Sequence, residues 1–90
     1  MKYGMYVIRD TKTEFMRPTT DLNDESAIRN FTFAINHSDD IMGFAPGDFD
    51  LYKIGYFDAE KGVFDIADYP VPEFIVSGAS VFGVKGSDLD

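Results

Sequence analysis

The single histidine, His37, is followed closely by Asp39 and Asp40. An imidazole with carboxylates in reach can move protons or bind a cation. The plainer reading is preferred: a histidine at a helix C-terminus, where its ring suits the negative end of the helix dipole. Asp39, Asp40, Asp48 and Asp50 bracket one loop and offer the oxygen ligands that Mg²⁺ or Ca²⁺ take. Their spacing matches no EF-hand loop, and loop aspartates also cap helices and shape turns. The expectation is therefore no metal and no cofactor. Asp58, Glu60 and Asp65 read as solvated turn residues, and no pair of carboxylates is singled out for hydrolysis. Ser26, Ser38, Ser77, Ser80 and Ser87 lack the G-x-S-x-G signature of an activated nucleophile. Ser77-Gly78-Ala79-Ser80 is small but is no phosphate loop, and no dinucleotide fingerprint is present. The absence of cysteine removes disulfides, thiolate catalysis and cysteine metal sites together, and fits a reducing compartment.

A second chemistry is stacking. Aromatic side chains on a sheet face can hold single-stranded bases while nearby cations meet the phosphates. The candidates are Tyr6, Tyr52 and Tyr56, with Tyr3 and Phe57 beside them, and Lys2, Arg9, Arg17 and Lys53 as cations. Packing in the core and at sheet edges accounts for the same aromatics and is the preferred alternative. Sixteen acidic residues against eight basic ones give a net charge of −8, which disfavours broad phosphate binding. Four of the eight cations, Lys2, Arg9, Lys12 and Arg17, lie in the first 17 residues.

These residues must be positioned by strands and one helix. Gly47 to Phe64 reads as a β-hairpin: a strand over Leu51–Phe57, a polar loop over Asp58–Gly62, and a second strand from Val63 to Ile66. Gly62 supplies the positive φ that such a loop needs. Strict alternation puts Tyr52, Ile54 and Tyr56 on one face and Leu51, Lys53, Gly55 and Phe57 on the other. Lys2–Arg9 is a first strand with two apolar faces, hence central or covered on both sides. Glu14–Arg17 is a short edge strand limited by Pro18.

The helix is the clearest element. Asn23 caps it, Asp24 and Glu25 place negative charge in its first turn, and Leu22 staples onto Ala27. Ala27, Ile28, Phe31, Ala34 and Ile35 form one buried stripe, and the helix ends near Asn36–His37. Phe33 lies off that stripe. Either the loop from Asp40 to Pro46 or the C-terminal tail covers it, or it belongs to an interface. Phe33, Phe44 and Phe82 are the candidate interface residues. Ile41, Met42 and Phe44 otherwise pin the irregular Asp39–Asp50 connection to the body. Phe74–Val76 is a last strand ending near Gly78, which Val81–Val84 extends past a bend.

The expected architecture is α+β, a single helix packed on an antiparallel sheet of four to five strands in the order β-(β)-α-β-β-β. Ninety residues make one domain, over 1–85, with a flexible tail over 86–90. Such a small domain gains from self-association, and a homodimer is favoured. No run approaches the ~20 apolar residues of a membrane-spanning helix. The N-terminus reads as a strand, not a signal peptide, so a cytoplasmic location is expected.

Four segments stand in a recognisable order: Tyr6-Val7-Ile8-Arg9-Asp10-Thr11-Lys12, then Asp24-Glu25-Ser26-Ala27-Ile28-Arg29-Asn30-Phe31. Pro46-Gly47-Asp48-Phe49-Asp50-Leu51-Tyr52-Lys53-Ile54-Gly55 follows, and after it Phe57-Asp58 with Gly62-Val63-Phe64. In these the chain resembles the small nonstructural protein of gokushoviruses, the microvirus group of single-stranded DNA phages. The resemblance is carried by residues 3 to 65. It implies a non-capsid, non-enzymatic accessory protein in the cytoplasm of an infected bacterium, serving single-stranded genome replication and packaging. Its partners would be a viral replication or procapsid protein, or single-stranded DNA. The resemblance assigns no catalytic residue and is weakest after Glu73. A dedicated single-stranded nucleic-acid binder is the second reading, and a small metal-dependent hydrolase using the Asp39–Asp50 loop is the third.

Overall fold

A computed structural model describes residues 1–65 and 71–84. The elements in chain order are β1 (Lys2–Asp10), β2 (Thr19–Asp21), α1 (Asp24–His37), α2 (Ile41–Phe44), a 3₁₀ turn (Pro46–Asp48), β3 (Phe49–Asp58), β4 (Val63–Asp65), β5 (Glu73–Ser77) and α3 (Gly78–Val81). The fold is α+β. Among the described residues its sheet has five strands, ordered β2-β1-β3-β4, with β5 pairing β3 beside β4, and their pairings are antiparallel. The expected single helix is joined by two one-turn helices, and the expected tail over 86–90 lies outside the described residues.

The α1 stripe behaves as its periodicity predicts. Ala27, Phe31 and Ile35 are buried and meet Tyr6, Met42, Phe49, Leu51 and Val81, with Ile28 and Ala34 partly buried against them. The Asn23 side chain accepts a hydrogen bond from the Ser26 N–H at 2.8 Å, the expected cap. Leu22 stays exposed, so it does not act as the expected staple. At the other end Asn36 clamps the chain after α3. Its Nδ2 donates to the carbonyls of Val81 and Val84, and its Oδ1 accepts from the Gly83 N–H at 2.6 Å.

Several elements differ from expectation for local reasons. The edge strand follows Pro18 instead of preceding it, since proline cannot donate to the ladder. Before it, only Phe15 bridges to β1, opposite Arg9. Val81–Val84 does not extend β5, because the Ser77 side chain accepts from the Ser80 N–H and starts α3. In the Asp39–Asp50 connection Asp40 caps α2. Met42 is buried there, while Ile41 and Phe44 point outward, so only one of the three pins the loop. The expected end of β4 at Ile66 falls outside the described residues.

The most consequential departure is in β3. Met5 pairs with Gly55 and Tyr6 with Lys53, which leaves Ile54 as an extra residue, a β-bulge. Gly55 has a φ of 140°, a conformation that L side chains rarely adopt. The bulge reverses the alternation beyond it. Tyr56 therefore lies on the Lys53 face, not with Tyr52 and Ile54, and Phe57 pairs with Tyr3 on the opposite face.

Candidate functional site

The bulge sorts the candidate residues onto two faces. The inner face, under α1, carries Tyr6, Lys53 and Tyr56. The outer face, over which no helix lies among the described residues, carries Met5, Val7, Arg9, Tyr52 and Ile54.

On the inner face Lys53 is only 4% exposed, an unusual position for an ammonium group. Its Nζ donates to Asp24 Oδ1 at 2.8 Å and to the Tyr56 hydroxyl at 3.2 Å. It also sits 4.4 Å from the Tyr56 ring centroid, a cation–π contact. The Tyr6 hydroxyl donates to the same Asp24 oxygen at 2.5 Å. Asp24 reaches this position because it is the first residue of α1, directly after the cap. Burial alone would raise the Asp24 carboxyl, but the hydrogen bonds from Lys53 and Tyr6 and the lysine's charge outweigh it and hold the group below its ordinary value. Burial, then the bond to Asp24 and that residue's charge, push the Tyr6 phenol far above its ordinary value. A cleft of about 290 Å³ opens beside these groups at the start of α1. Lys53 and Tyr6 are thus structural on this face and do not join the outer aromatics, as a single stacking surface would require.

On the outer face the rings form a row across the sheet. Tyr52 pairs with Val7 on one side and with Phe74 on the other. Its ring meets Phe15 edge-on at 5.5 Å and Phe74 edge-on at 5.7 Å. The Arg9 guanidinium lies 5.4 Å from the centroid of Phe15. Further along the face, Phe57 and Phe64 meet at 5.8 Å. Between these groups runs a groove of about 430 Å³, with no polar side chain among the described residues that line it. Met5, Val7 and Ile54 contribute to it from the sheet. Phe15 and Pro18 line it from the segment before β2, and Phe64, Val71 and Pro72 from the β4–β5 side. The Val71–Pro72 peptide is cis.

The remaining candidates stand apart. Lys2 forms an exposed ion pair with Asp65 at 3.3 Å. Arg17 is exposed between Phe15 and Pro18. Phe33 is 52% exposed, so the 40–46 loop does not bury it; its ring stacks on His37 at 4.1 Å with an interplanar angle of 12°. The His37 Nδ1–H donates to the Phe33 carbonyl at 2.9 Å, the behaviour of a helix-end residue. Phe44 is 86% and Phe82 59% exposed.

The loop aspartates do not converge. Asp40 accepts from the Ser38 hydroxyl and from the Met42 N–H, bonds that hold its carboxyl below the ordinary value and mark it as a cap. Among the described residues no three His, Asp or Glu side chains are grouped to hold a metal ion. Also among them, no helix is long and apolar enough to cross a membrane.

Sequence reasoning missed Asp24, Phe15 and Phe74 as partners in these two clusters. A signal existed for the sorting itself: an isolated glycine inside a strand pattern, Gly55, marks a bulge. None existed for the Asp24–Lys53 pair, whose members are 29 positions apart.

No curated protein and no solved structure matches this sequence. The family of Phage ORF5 proteins matches it over residues 3–81, from the second residue of β1 to the last of α3. That span takes in both faces of the sheet and the helix that covers one of them, so the chain is a phage protein and belongs to the Phage ORF5 protein family.

Proposed function

We propose that this chain is a non-enzymatic accessory protein of a gokushovirus-type phage. It serves replication and packaging of a single-stranded DNA genome through contacts made by the outer sheet face. The observation that carries this reading is the Phe15–Tyr52–Phe74 row with Arg9 against its end. Rings presented on an uncovered sheet can stack bases without reading sequence, and a neighbouring guanidinium can meet a phosphate. The resemblance in the β1, α1 and β3 segments supports the same assignment. The inner cluster is spent on tying α1 to the sheet.

Fluorescence anisotropy with labelled single- and double-stranded oligonucleotides, at low and moderate salt, tests it. Single strands should bind preferentially and with salt sensitivity. Tyr52→Ala or Phe74→Ala should weaken that binding roughly tenfold, the scale of one lost base–aromatic stack. Absence of binding by the folded protein removes the DNA reading. A protein contact on the same face is the second reading, favoured by the net charge of −8 and by the wholly apolar groove. Its partner would be a viral replication or procapsid protein, and pull-down with those two proteins separates the cases.

A further inference from the structure

Among the described residues, two apolar features find no counterpart in the same protomer. One is the outer groove, of about 430 Å³. The other is Phe44, 86% exposed, with Ile41 beside it at 57%. The two residues are three positions apart on α2 and share its outward side, because Met42 faces the core. The Asp40 cap and the buried Met42 hold α2 in place, so Phe44 is presented as a fixed knob. A cavity of about 150 Å³ holds a benzene ring, so the groove has room for the Phe44 ring with Ile41 beside it.

The charges around the two features are complementary. Asp39, Asp40 and Asp48 flank the knob, and residues 39–48 contain no Lys or Arg. The groove wall formed by Phe15 and Pro18 belongs to a run carrying Arg9, Lys12 and Arg17 against Asp10 and Glu14, a basic excess in an otherwise acidic chain. Asp65, next to Phe64 in β4, pairs across the strands with Tyr56 on the inner face and forms its ion pair there with Lys2. The knob lies on the helix side of the sheet and the groove on the opposite side, so one protomer cannot join its own two features.

We propose that the protein associates with further copies of itself head to tail, Phe44 of one protomer seating in the outer-face groove of the next. Knob and groove are different surfaces, so the contact is heterologous and leaves a free knob and a free groove at the ends of each assembly. In this proposal the assembly is open-ended, where the sequence alone favours a homodimer. The contact does not depend on DNA, and its test contains none.

The test uses the full chain in sedimentation velocity, with Phe44→Glu, Phe64→Glu and their equimolar mixture. Both positions are exposed in the protomer, so both variants should fold, which circular dichroism checks. Wild type should grow past a dimer as concentration rises, and less so at high salt. Each variant alone should weaken association by roughly 30-fold, as loss of an aromatic anchor does. The mixture should recover pairs and stop there, because Phe44→Glu keeps its groove and Phe64→Glu keeps its knob. A monomeric wild type, a wild type that halts at two protomers, variants that associate like wild type, or a mixture that stays monomeric would each overturn the proposal.

Discussion

At the scale of single residues, the Asp24–Lys53 pair is lopsided. The lysine side chain is 5% exposed and the aspartate 44%. Removing the carboxylate strands a buried cation, whereas removing the cation leaves a carboxylate that water still reaches. Asp24→Asn should therefore cost about 1–3 kcal/mol in urea denaturation at neutral pH. Lys53→Met, which keeps the apolar stem, should cost less. The Asp24 carboxyl is held below its ordinary value, so its contribution is present above about pH 4 and is lost as pH falls through the folded value. Asp24→Asn should flatten that acid limb of the stability profile. Tyr6 has the opposite sign. Its phenol is raised, so its contribution is full below about pH 10 and is lost as pH climbs toward the folded value. Wild type should lose stability above that pH more steeply than Tyr6→Phe does, read by thermal melts across an alkaline series.

At the scale of elements, the close approach of α3 to the turn before β3 rests on its first residue, Gly78. A Cβ there would lie 2.0 Å from the Pro46 carbonyl oxygen and 2.8 Å from that of Phe49. Both are backbone atoms, so Gly78→Ala should destabilise by about 1–3 kcal/mol in chemical denaturation. Gly47→Ala, where a Cβ would meet only Ala79 at 3.8 Å, serves as the control. What the sequence reveals divides along the same lines. The α1 helix was legible because Ala27, Phe31 and Ile35 repeat with its period and Asn23 stands at its start. β1 and β3 were legible from their alternating apolar residues. The one-turn helices α2 and α3 were not, because four residues contain no period and only a cap marks them. The faces of β3 were legible as far as Ile54 and inverted beyond it, since alternation carries no information across a bulge. The candidate site suffers from that inversion: alternation groups Tyr56 with Tyr52, whereas the ring that meets Tyr52 across the strands is Phe74.

At the scale of the molecule, the central pairing joins β1 to β3 along nearly their whole lengths, from Lys2 with Asp58 to Asp10 with Phe49. Contacts so distant in sequence must close a long loop before they contribute, so folding should be slower than in helical bundles of this length. Once formed, that ladder is flanked on both sides by other strands and lies under α1. Hydrogen exchange should find the slowest amides in the middle of β1 and β3, with β2, β4 and α2 opening far sooner. Equal protection across all strands would contradict that ranking. The two-layer build also explains how one small chain presents so much apolar surface: among the described residues α1 covers one side of the sheet, and the apolar side chains of the other side stay open.

The bulge at Ile54 gives β3 two halves in opposite phase, and this bears on how the chain can change over generations. Loss of the Ile54 codon would remove the extra residue and leave Gly55, Tyr56 and Phe57 opposite Met5, Gly4 and Tyr3, on the faces they hold now. Gain of one codon after Gly55 would exchange the faces of everything beyond it: Tyr56 would leave the Lys53 ammonium, and Phe57 would be driven under the helix. The strand could tolerate many replacements but almost no insertion. In descendants of this sequence, insertions should gather in the turn after β1 and in the Asp58–Gly62 loop, while a deletion between Phe49 and Asp58 should fall at Ile54.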